Sequence, residues 1–131
     1  MIVVDASAVI ELLLRSPVGE RVEARLFARR AGLHAPQLLD VEVVQVLRRF
    51  EARGEIAASR GTAAVRLLGE LPVARHPHAP LLPRLWSLRA TMTAYDAAYV
   101  ALAEALGAVL VTCDARLGRA PGHRAAVEVV A

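Results

Sequence analysis

The sequence predicts an α/β protein, a three-layer α/β/α sandwich with helices on both faces of a central parallel sheet. Short apolar runs alternate with segments of helical periodicity along the whole chain. The strongest run, Ala108-Val109-Leu110-Val111-Thr112, is continuous and β-branched, the character of a strand covered on both sides. A third observation is positional: Ile2-Val3-Val4 stops at Asp5, and the strongest run leads into Asp114. In open α/β sheets, ligands bind outside the carboxyl ends of the strands, where these acids fall.

Ile2 to Val4 is too short for anything but a buried strand. After it, Ala8-Val9-Ile10-Glu11-Leu12-Leu13-Leu14 reads as a helix that Ser7 is suited to N-cap. Gly19 to Arg30 sets Val22, Leu26 and Phe27 among charges, an amphipathic helix with Gly32 as its stop. Leu33-His34-Ala35-Pro36 is a brief second strand. A long helix is expected from Gln37 to Arg53, ended by Gly54, and another from Glu55 to Leu68. Leu71-Pro72-Val73-Ala74 makes a weaker third strand, because its proline cannot donate to a ladder. Pro77, Pro80 and Pro83 dot the connection to a helical stretch from Leu82 to Thr91, whose Trp86 is expected in the core. Thr93 to Leu106 is a clear helix closed by Gly107. A short turn from Ala115 to Leu117 ends at Gly118, and Val127 to Val130 forms a last edge strand. With no repeat and no linker, residues 1–131 are expected to form one domain.

Composition narrows the class. The chain is 56% hydrophobic but only 4% aromatic, so the core should be mainly Ala, Val and Leu, and the composition argues against a disordered chain. No apolar run reaches the roughly 18 residues of a membrane span. The N-terminus lacks a basic segment and is interrupted by Asp5 and Glu11, a poor signal peptide. A single cysteine, Cys113, excludes an internal disulfide and a multi-thiolate metal site. A soluble, cytoplasmic protein is expected. The formal charge is +3, and all 16 basic residues are arginine, whose planar fork suits phosphate. An arginine-rich genome would account for the missing lysine equally well. This charge permits a nucleic-acid partner without identifying one.

Each acid also has a purely local explanation. Asp114 can N-cap the turn that follows it, Asp96 falls three residues after Thr93 in a capping-box-like place, and Asp5 can cap the first helix. Glu42 is harder to dismiss. Leu39, Val43, Val46, Leu47 and Phe50 form one apolar stripe, and Glu42 lies on its border rather than opposite it, where Arg48 sits. A half-buried carboxylate there calls for a partner, although its stem can pack while its head reaches water. If the strands of Asp5 and Asp114 are neighbours, both acids face one crevice, which Asp96 and Glu42 could close. Carboxylates gathered so closely stay ionised only with a cation among them. Oxygen-only ligation points to Mg²⁺ or Mn²⁺, with Ser7 and Thr112 as hydrogen-bonding supports behind the ligands.

Ile2-Val3-Val4-Asp5-Ala6-Ser7-Ala8, the helical Glu42, Thr93-Ala94-Tyr95-Asp96-Ala97-Ala98-Tyr99-Val100 and Val111-Thr112-Cys113-Asp114-Ala115-Arg116-Leu117 resemble the PIN domain. More closely, they resemble VapC toxins of type II toxin–antitoxin modules. The likeness spans nearly the whole chain and keeps the order of all four acids. It implies a PIN-like fold and a metal-dependent endoribonuclease that cleaves RNA by in-line attack of activated water. It further implies neutralisation by a cognate VapB antitoxin, usually a homodimer, and Asp5, Glu42, Asp96 and Asp114 as the acidic site. Asp5 and Asp96 would be direct Mg²⁺ ligands, with Glu42 and Asp114 acting through water or on a second ion. The RNA target does not carry over.

Other readings compete. A phosphohydrolase with Asp5 as covalent nucleophile would want Asp-x-Asp and a lysine, and here the second position is Ser7 and lysine is absent. A metal-free scaffold would not need all four acids. A PIN-fold nuclease acting on structured DNA, or in rRNA processing, stays open. Arg84, Arg89 and Arg116 are candidate phosphate contacts or ordinary solvated residues. His34, His76, His78 and His123 look scattered, and Cys113 reads as a small buried side chain. Val41 and Val44 leave a second apolar face on the long helix, for a partner chain, the antitoxin or a neighbouring helix.

Overall fold

A computed structural model describes all residues, Met1–Ala131. Its centre is a five-stranded sheet built from β1 (Ile2–Val4), β2 (Leu33–Pro36), β3 (Val73–His76), β4 (Val109–Thr112) and β5 (Val127–Val129). The strand order is β3-β2-β1-β4-β5, and every neighbouring pair is parallel. Seven helices connect the strands: α1 (Ala6–Leu14), α2 (Pro17–Phe27), α3 (Leu38–Ala52), α4 (Ala58–Glu70), α5 (Leu82–Ser87), α6 (Ala94–Leu106) and α7 (Ala115–Arg119). A 3₁₀ turn at Ala79–Leu81 precedes α5.

The chain steps from β1 outward to β2 and β3, then returns past β1 to β4 and β5. Right-handed crossovers running in opposite directions place their helices on opposite faces. So α1 packs with α2, α3 and α4 in one layer, while α5 and α6 form the other, α6 lying against β1, β2 and β4. This is the sandwich the sequence predicts. The reversal falls between β1 and β4, the switch point at which their carboxyl ends splay into a crevice.

Both central strands are apolar on both faces because both faces are covered. Ile2, Val3 and Val4 are buried, and so are Leu110, Val111 and Thr112. On α6, Ala97 to Ala103 is buried without a break, and its four alanines let the helix sit close to the sheet. Truncating one of the enclosed leucines, such as Leu110, would cost about 2–5 kcal/mol.

Several local expectations change. Ser7 does not cap α1; the helix begins at Ala6, Asp5 occupies the cap position, and Ser7 lies in the first turn with its hydroxyl turned to the sheet. The α2 helix stops at Phe27, well before Gly32, and β3 starts only after Pro72, at the sheet's edge. Gly118 lies inside α7 instead of ending it. Gly54 and Gly107 do end their helices, with φ of 73° and 61°. Trp86 is not core: it stands 69% exposed on the short α5, with Arg89 stacked 4.4 Å from its ring. Nor are the histidines all scattered, since His34 on β2 and His76 on β3 meet at 2.8 Å between ring nitrogens. Val41 and Val44 remain exposed, so the second apolar face of α3 is not covered by α4. No helix is long and apolar enough to cross a membrane.

Candidate active site

The pairing of β1 with β4 assembles the first part of the site. Beyond the last β1 residue, the Asp5 amide donates to the Val111 carbonyl at 3.0 Å, extending the ladder to the acid itself. The Asp5 carboxylate is nearly enclosed, 7% exposed. Its Oδ2 accepts from the Thr112 hydroxyl at 2.6 Å and from the Ser7 hydroxyl at 2.8 Å. Each hydroxyl in turn accepts a backbone amide, Ser7 from Cys113 and Thr112 from Asp114, both at 3.0 Å. A hydroxyl has one proton, and both protons are spent on Asp5. The 3.2 Å approach of Ser7 Oγ to Thr112 Oγ1 is therefore proximity, not a further bond. The support expected of Ser7 and Thr112 is present, and it is fully committed to one oxygen of Asp5.

The other acids arrive on helices. Asp114 caps α7, accepting the Arg116 amide at 2.9 Å and the Arg116 guanidinium at 2.8 Å. Asp96 stands in the first turn of α6, whose start is fixed by the Thr93 hydroxyl accepting the Asp96 amide at 3.1 Å. Glu42 comes from α3, in the opposite layer, and its Oε1 accepts from the Tyr99 hydroxyl at 2.6 Å. All four acids line one crevice of about 600 Å³, together with Glu11, Arg49, Cys113 and Arg116. Local capping and crevice lining thus coexist at Asp114.

Proximity shows in their proton affinities. Burial pushes the Asp5 carboxyl above its ordinary value, opposed by the bonds from Thr112 and Ser7 and reinforced by Asp114. Glu42 is raised by burial and by the charges of Asp5 and Asp96, against the bond from Tyr99. Asp96 is raised by burial, Asp5 and Asp114, with Arg116 opposing. Asp114 alone is lowered, held ionised by Arg116. Three carboxyls resist ionisation while a fourth stays charged beside them, an arrangement that a cation would relieve.

The donor set suits a hard divalent ion: oxygen atoms from Asp and Glu, with no histidine in the crevice. No three His, Cys, Asp or Glu side chains are placed to hold one ion unaided. That fits Mg²⁺, which keeps several waters and takes only one or two carboxylates directly.

Among the arginines, Arg84 is engaged by Glu104 at 2.8 Å and Arg89 by the Trp86 ring, so only Arg116 of the three candidates reaches the crevice. Two crevice residues lie outside the four acids and their supports. Arg49 lies seven residues after Glu42 on α3, and Glu11 four after Ser7 on α1, spacings that share a helix face. Helical periodicity carried from Glu42 and Ser7 would have found both.

The four acids gather at the switch point of a parallel sheet, and the PIN-domain family model matches residues 2–123. In fold the chain is similar to PAE2754 from Pyrobaculum aerophilum, with a TM-score of 0.72 and 27% identity over 98% of this chain and 83% of that one. It is also similar to VapBC2 from Rickettsia felis, solved bound to a DNA fragment from the promoter. There the TM-score is 0.68 with full coverage of both chains, at 13% identity, a likeness of fold alone. Ribonuclease VapC12 of Mycobacterium tuberculosis is 47% identical over 131 residues, 100% of both chains. The chain belongs to the VapC ribonucleases of the PIN-domain family. Members of that group are generally dependent on a divalent metal and pair with VapB antitoxins.

Proposed function

We propose that this chain is the endoribonuclease toxin of a VapBC-type module, hydrolysing RNA phosphodiesters in the crevice between β1 and β4 with Mg²⁺, or Mn²⁺, as cofactor. The observation that carries this reading is the convergence of Asp5, Glu42, Asp96 and Asp114 from four separate elements, three of them with raised proton affinity. Asp5 and Asp96 would hold the ion directly; Glu42 and Asp114 would act through water or on a second ion. When bound, the ion supplies a water of lowered pKa and a positive charge against the phosphate. The protein's part is orientation. Ser7 and Thr112 fix the Asp5 carboxylate, and Arg116 keeps Asp114 ionised. Arg49, exposed in the crevice wall with no protein partner for its guanidinium, is free to meet a phosphate of the RNA. A cognate VapB-like antitoxin, a homodimer and a cytoplasmic location complete the proposal.

The test is to map RNA 5′ ends after expression of the wild type and of Asp96→Asn. The wild type should produce discrete new ends, and Asp96→Asn none while melting as a folded protein. Undiminished cleavage by Asp96→Asn would overturn the assignment.

A further inference from the structure

We infer that Tyr99 is a positioning residue for the metal site, its buried hydroxyl fixing Glu42 across the end of the sheet. This rests on the site reading above and adds a group that carries no charge and does not line the crevice. Tyr99 heads the fully buried large side chains, 1% exposed, and its single phenolic proton goes to Glu42 Oε1 at 2.6 Å. Oε2 of Glu42 receives no hydrogen bond from the protein. One oxygen is anchored and the other is left for the crevice.

The placement explains why a tyrosine serves. Glu42 belongs to the α3 layer and Asp96 to the α6 layer, on opposite faces of the sheet. Tyr99 follows Asp96 by three residues, so it projects from the same side of α6 one turn deeper. From there a rigid ring long enough to pass through the core delivers a hydroxyl to α3. A glutamate has three side-chain torsions, and a half-buried one without an anchor would sample several orientations. The Tyr99 bond thus sets the spacing between the two helix-borne acids, as outer hydrogen bonds do for metal-ligating groups generally.

Tyr99→Phe removes one oxygen and keeps the ring. The full-length protein would be titrated with Mn²⁺ by calorimetry and melted in EDTA, alongside Glu42→Gln, the double variant and Asp5→Asn. Tyr99→Phe should weaken Mn²⁺ binding about tenfold or more, the usual effect of losing such a support. Its melting in EDTA should fall by no more than the several degrees that one hydrogen bond to a carboxylate accounts for, with cooperative unfolding retained. Glu42→Gln should produce a comparable loss, and adding Tyr99→Phe to it should change nothing further, because the two act as one unit. Wild-type Mn²⁺ affinity in Tyr99→Phe would overturn the inference. So would losses that multiply in the double variant, or a collapse in melting with affinity intact, which marks a purely structural tyrosine. If Asp5→Asn also bound Mn²⁺ like the wild type, the metal site itself would fall. Loss in Asp5→Asn with normal binding by Tyr99→Phe would sink only the role of Tyr99.

Discussion

Thr112→Val is the sharpest probe of how the site is built. Valine reproduces the shape of threonine, and position 112 is fully buried, so packing is conserved and only the hydroxyl is lost. That hydroxyl donates to Asp5 Oδ2 at 2.6 Å and accepts the Asp114 amide at 3.0 Å. A hydrogen bond to a charged group contributes about 1.5–3 kcal/mol, and an amide left without its acceptor costs about 1 kcal/mol more. The expected destabilisation is therefore about 3 kcal/mol, which for a chain of 131 residues lowers Tm by roughly 10 °C. Calorimetric melting in EDTA would measure it, with Thr112→Ser as the control. Serine keeps the hydroxyl and loses one buried methyl, about 1 kcal/mol. If Thr112→Val melted within about 2 °C of the wild type, or Thr112→Ser fell as far as valine, the hydroxyl would not be what holds Asp5.

Two further outcomes follow from the charges. Asp5 has its proton affinity raised by folding, so its ionised form works against the fold: the stability it contributes is complete below the ordinary carboxyl value of 3.8 and is lost as pH rises through the raised folded value. Asp5→Asn, which cannot ionise, should melt higher than the wild type in EDTA near neutral pH. That gain should shrink as the pH falls through the raised value, and a gain independent of pH would contradict the account. Arg49→Ala should leave melting unchanged while raising KM for RNA about tenfold and reducing the salt dependence of binding by about one charge; an unchanged salt slope would remove Arg49 from the RNA path.

What the sequence revealed depended on whether the deciding physics was local. The strands at Ile2–Val4 and Val109–Thr112 were legible because a strand enclosed on both faces must be apolar throughout. Glu42 was legible as an anomaly, a carboxylate on the border of an apolar stripe. Its partner was not, because Tyr99 lies 57 residues away and a tyrosine inside a buried helix reads as ordinary core. Ser7 was misplaced for a related reason. Locally, Asp5 and Ser7 are both competent caps, and the choice is made by the Asp5 carboxylate and the Cys113 amide, which hold the Ser7 hydroxyl toward the sheet. Trp86 misled because α5 has only six residues, too few for a periodicity to show which side faces the core. The histidine contact depended on β2 and β3 being neighbours, a fact of topology rather than pattern.

The strand order has a consequence for how such a chain is made. Asp5, Glu42 and Asp96 leave the ribosome before β4 does, yet the amide and carboxylate of Asp5 are both tied to Val111 and Thr112. Without β4 beside β1, Asp5 loses the carbonyl that its amide bonds and one of the two hydroxyls on its carboxylate. A chain cut before Val109 would therefore keep Asp5, Glu42 and Asp96 but lack β4, Thr112 and Asp114, and with them the partners that hold Asp5 in place.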